Sequence, residues 1–143
     1  MKPYSKEYGR RVSTIVTEAF LFPNFTPGTL PPLKYFTENA MWDTGAECNF
    51  IDIGVAEALE LKPTSKKWAK GIGGEKLFDV YQISIGLPNG RILHDVEAYC
   101  EELGECDVLF GMGIITETDF LITNKDYKTV FSFNSPSKGN ISL

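Results

Sequence analysis

Ala40-Met41-Trp42-Asp43-Thr44-Gly45-Ala46, with Phe50 and Ile51 close behind, decides how this chain is read. Three apolar residues run straight into an acid, which puts Asp43 at the end of a buried strand. The Thr44 hydroxyl can hydrogen-bond across a pair of such acids, and Gly45 lets backbone approach a ligand closely. Taken alone, the tetrapeptide is also what an ordinary turn after a strand looks like.

Two further stretches give it context. Asp107-Val108-Leu109-Phe110-Gly111 reads as a second buried strand ending in glycine, and between the two lies Trp68-Ala69-Lys70-Gly71-Ile72-Gly73-Gly74-Glu75-Lys76, a Gly-rich tip flanked by strand-like segments. In this order the three features resemble the retropepsin family of aspartic peptidases. There, hydrophobic-Asp-Thr-Gly-Ala is followed by a Gly-tipped flap hairpin, then by two hydrophobic residues and Gly leading into a short helix. The resemblance covers roughly Ala40 to Ile122. It implies an all-β fold with one or two short helices, a closed β-barrel of the acid-protease type, one lobe per chain. The implied activity is that of an aspartic endopeptidase acting on peptide or protein substrates. Asp43 would be catalytic, Thr44, Gly45 and Ala46 the active-site loop, Ile72, Gly73 and Gly74 the flap, and Leu109, Phe110 and Gly111 the packing behind the loop. No cofactor or metal is called for.

The chemistry needs two carboxylates sharing a proton, and the chain offers one Asp-Thr-Gly. The second must come from another copy, so a homodimer with both Asp43 side chains at its twofold axis is expected. Carboxylates about 3 Å apart cannot both ionise; the charged one can activate a water while its protonated partner donates to the scissile carbonyl oxygen. The same fold could instead serve a catalytically silent dimer that binds extended peptides.

Departures from the family also bear on assembly. Glu47 keeps the acid that retroviral members place after Asp-Thr-Gly-Ala, but Met112 stands where they carry Arg, so the usual brace of the dimer is absent or different. Bacterial and cellular relatives are the nearer comparison. The segment before Asp43 exceeds that of a retroviral protease, so the family's terminal dimer sheet does not transfer to Met1 or Leu143.

Composition narrows the alternatives. A chain of 143 residues with 43% hydrophobic content suits one core, and a single domain over 1–143 is expected, with flexible ends at about 1–10 and 135–143. A net charge of −5, with Lys and Arg dispersed, argues against nucleic acid or an anionic membrane as partner. With no long apolar stretch near Met1, a cytoplasmic location is expected. Cys48, Cys100 and Cys106 form no Cys-x-x-Cys pair and read as reduced thiols; His94, the one histidine, has no motif linking it to them as a Cys-His hydrolase. Gly71-Ile72-Gly73-Gly74 lacks the Gly-Lys-Ser/Thr ending of a phosphate loop. The run Glu101 to Cys106 reads as a solvated acidic connection rather than a calcium loop.

Along the chain, strands are expected at Val12 to Phe22, Leu33 to Trp42, Ser65 to Lys70, Lys76 to Leu87, Arg91 to Cys100, Phe120 to Thr123 and Thr129 to Phe133. Asp52 is placed to cap a helix running to Leu61, and Gly113 to Glu117 fits a short helical turn.

Overall fold

The computed structural model describes residues 1–71 and 73–143. Its strands are β1 (Tyr4–Glu7), β2 (Ile15–Pro23), β3 (Tyr35–Trp42), β4 (Asn49–Asp52), β5 (Ser65–Gly71), β6 (Gly74–Gly86), β7 (Ile92–Glu101), β8 (Val108–Phe110), β9 (Asp119–Thr123) and β10 (Val130–Asn134). Two short helices, α1 (Ile53–Ala58) and α2 (Met112–Ile115), follow β4 and β8. The expected strands are all present, with shifted ends, and the chain is predominantly β. Among the described residues no helix is long and apolar enough to cross a membrane.

Seven strands pair in the order β2-β3-β8-β4-β7-β6-β5. Phe20 to Pro23 of β2 also pair with Gly86 to Ile83 of β6, so the succession of ladders starting on β2 returns to it. β5 lies outside that ring, paired among the described residues with β6 alone, in a register running from Ser65↔Val80 to Gly71↔Gly74. A second sheet, β1-β10-β9, packs beside it. Trp42 joins the two: its ring lies 5.1 Å from Phe110 in the larger sheet, and 5.1 and 5.2 Å from Phe131 and Phe133 in the smaller. The indole N–H donates to the buried Thr17 hydroxyl at 3.0 Å, so the polar atom of this core residue is satisfied.

Three expectations from composition are corrected. The polar N-terminus is not frayed throughout, since Tyr4 to Glu7 pair with Phe133 to Val130. The tail is likewise held in part: Ser135 is buried, and Asp119 accepts hydrogen bonds from the Ser137 hydroxyl and the Lys138 N–H at 2.6 Å, which keep its carboxyl below the usual range. Glu101 does not begin a solvated loop but ends β7 with its side chain buried. In each case the partner that orders the segment is remote in sequence and invisible to local pattern.

Candidate active site

β3 delivers Asp43, and β8 shapes the loop that follows. β8 inserts between β3 and β4, parallel to β3 (Ala40↔Val108, Met41↔Leu109, Trp42↔Phe110) and antiparallel to β4 (Phe50↔Leu109, Ile51↔Val108). The loop from Asp43 to Cys48 therefore starts and ends against the same three residues. Asp43 N–H donates to Phe110 O at 2.9 Å, and Met112 N–H donates to Ala46 O at 2.8 Å. Inside the loop Asp43 Oδ1 accepts the Gly45 N–H at 2.8 Å. A Cβ on residue 45 would stand 3.1 Å from that oxygen, so glycine lets the carboxylate fold back against its own loop. Asp43 is half-buried, while Thr44 and Gly45 are exposed.

Gly111 fits a notch that admits no side chain. Its added Cβ would lie 2.2 Å from Cys48 O and 2.7 Å from Ala46 O. The Gly111 N–H donates to Asn49 Oδ1 at 3.0 Å, and Asn49 Nδ2 donates to Glu97 O at 3.3 Å. Asn49 thus ties the loop, β8 and β7 together. Sequence reasoning passed over it; the available signal was an amide heading the apolar run Phe50-Ile51. Asn49→Ala would orphan the buried Gly111 N–H, and urea denaturation should show a loss of about 1–3 kcal/mol.

Beside the loop, a cavity of about 520 Å³ is lined by Gly45, Ala46, Glu47, Cys48, Phe50 and Tyr99, and on its far wall by Trp68, Ala69, Lys70 and Glu75 of the β5–β6 hairpin. Under that hairpin Phe50, Phe78 and Tyr99 form an aromatic triangle with centroids 5.7–5.9 Å apart. The three tip glycines have different environments. Gly71 is packed tightly against Phe78, Gly73 is exposed with open space around it, and Gly74 has φ +102°, a conformation that favours glycine. Ile72, expected in the flap with Gly73 and Gly74, lies outside the described residues. Leu109 and Phe110 pack behind the loop, Leu109 half-buried and Phe110 fully buried.

A cysteine nucleophile needs its thiolate form, which burial disfavours. Burial pushes the Cys48 thiol up, as it does Cys100, and takes Cys106 to about 11. Tyr99, beside Cys48, is likewise raised by burial, to about 12. His94 is half-buried and meets Ser84 Oγ through Nδ1 at 2.9 Å. Among the described residues no three His, Cys, Asp or Glu side chains converge as a metal site.

A crystal structure of a retropepsin-like aspartic protease from Rickettsia conorii superposes over 92% of this chain and 92% of that one, with TM-score 0.54 and 17% identity. The fold is retropepsin-like. A solution structure of the Simian Foamy Virus (mac) protease matches 68% of this chain and 87% of its own at TM-score 0.44 and 25% identity. No family model and no curated protein matches the chain. Within the retropepsin-like fold Asp43, Thr44 and Gly45 form a loop clamped from below by β8, with the β5–β6 hairpin across the adjoining cavity.

Proposed function

We propose that the chain is an aspartic endopeptidase whose active site is completed by a second copy of itself. The observation that carries this reading is the Asp43 loop: a half-buried carboxylate held at a strand end by backbone hydrogen bonds, beside a cavity walled by an edge strand. β5 pairs on one side only, which leaves its other backbone edge for an extended peptide, the usual mode of strand addition. Gly45 and Ala46 would form the opposite wall, and the hairpin would close over the peptide as a flap that excludes water.

The exposed Thr44 would bond to the loop of the partner subunit beneath the two carboxyls. One Asp43 would take a proton from the attacking water as the other protonates the carbonyl oxygen, giving a tetrahedral intermediate with no covalent adduct.

Mixing subunits tests the stoichiometry. After full exchange, an equal mixture of wild type and Asp43→Ala should retain about a quarter of the activity expected if every dimer were wild type, since each site needs two aspartates. Activity per subunit should also fall on dilution below the dimer dissociation constant. Retention of half the activity, with no dilution effect, would mean that each chain carries a whole site and would end the two-subunit reading.

A further inference from the structure

Glu101 is the buried acid for which the site has so far given no use. It closes β7 opposite Asp52 of β4, and its side chain is 6% exposed. Its carboxylate meets Lys76 Nζ, on the β6 arm of the hairpin, at 2.7 Å. The same two oxygens stand 3.0 Å from where a Cβ of Gly71 would be, on the β5 arm, and Phe78 Cζ is closer still at 2.5 Å. Lys76 Nζ also lies 5.1 Å over the Phe78 ring. Both arms of the hairpin, near its tip, therefore meet at one carboxylate.

The hairpin's other ion pairs cannot do the same. Lys66–Asp79, at 3.5 Å, joins the two arms to each other and ties them to nothing else. Lys67–Glu97 reaches β7, but both side chains are more than 40% exposed, and such surface pairs contribute little. Separating Lys76 from Glu101 differs in kind, because it leaves a buried carboxylate without its cation.

We propose that Glu101 is a positioning residue that holds the β5–β6 hairpin at its set distance from the Asp43 loop, so that flap opening requires the Lys76–Glu101 pair to break. This rests on the reading of the hairpin as a flap over bound peptide. Gly71 is then a close-approach glycine rather than a hinge.

Amide hydrogen exchange on the free, full-length protein tests the anchor without any substrate. In Lys76→Met, a change at a half-exposed position, amides of 66–78 should exchange about tenfold faster while those of β2 and β3 keep their rates. Glu101→Gln should do the same, the double variant should be no faster than the faster single one, and Lys76→Arg should remain near wild type because it keeps a cation in reach. In peptide cleavage KM should rise about as much as exchange, with kcat within about twofold. Hairpin exchange unchanged in Lys76→Met, or accelerated equally in β2 and β3, would overturn the proposal. If wild type cleaves no peptide, the endopeptidase reading fails on its own, and exchange still decides the anchor.

Discussion

Asp43→Asn should leave the protein folded and abolish the peptide cleavage proposed for it. Asparagine keeps an oxygen at the position that accepts the Gly45 N–H at 2.8 Å, so the loop retains its internal hydrogen bond. Its backbone N–H still donates to Phe110 O. In the proposed dimer the substitution would also remove charge where two carboxylates meet, relieving repulsion rather than adding to it. The melting temperature should therefore shift by no more than about 3 °C, equivalent to roughly 1 kcal/mol for a chain of this size. Catalysis fares differently, because an amide neither takes a proton from water nor returns one. A single general acid or base is worth about 10²- to 10⁴-fold, and here both roles vanish together, so a loss of at least about ten-thousand-fold is expected. Thermal melts and steady-state cleavage of a peptide mixture measure the two halves. Cleavage at the wild-type rate would remove Asp43 from the mechanism.

Gly111→Ala should be the most damaging single methyl in the chain. At 2.2 Å from Cys48 O and 2.7 Å from Ala46 O, the new Cβ meets backbone on two sides, and neither oxygen is the end of a flexible side chain. Relief requires the Asp43–Cys48 loop to lift away from β8, which would strain the bonds from Gly111 N–H to Asn49 and from Met112 N–H to Ala46 O. Overpacking usually costs about 1–3 kcal/mol; with these bonds strained as well, a loss of about 3 kcal/mol or more is expected, or some 10 °C in melting temperature. Gly73→Ala is the matched control, since nothing lies within 4 Å of its added Cβ. Equal stability of the two variants in urea titration would show that the notch is not as tight as it stands here.

The parts of the site legible in the sequence are those whose cause is local. Apolar runs before Asp43 and before Gly111 mark two buried strands, and β3 and β8 lie side by side. Asp52 reads as a cap and accepts the Gly54 N–H at 3.0 Å. Three glycines in four positions read as a hairpin tip, and Gly71 pairs with Gly74. What stayed hidden depends on partners distant in sequence. Ser84, which alternation places outward, is buried where the segment just after β2 and His94 close over it; its hydroxyl accepts the Phe25 N–H at 3.2 Å and donates to Asn24 Oδ1 at 3.1 Å. Glu101 is buried because Lys76 reaches it, and Asn49 because Gly111 needs an acceptor. The strand β1 exists because β10 offers it an edge, not because its polar residues favour extended structure.

The insertion of β8 between β3 and β4 also fixes when the site can come into being. Asp43 precedes β8 in the chain, yet the carbonyl that receives its N–H, the glycine that fills the notch and the amide that holds Ala46 all come from Phe110, Gly111 and Met112. During synthesis, which releases N-terminal residues first, Asp43 emerges with nothing to shape its loop. Contacts of such long sequence separation form slowly, because the entropy of closing the intervening loop must be met first. A nascent or interrupted chain that stops short of Asp107 would thus present Asp43 as an ordinary surface acid, and its loop would take shape only once Phe110, Gly111 and Met112 have been made.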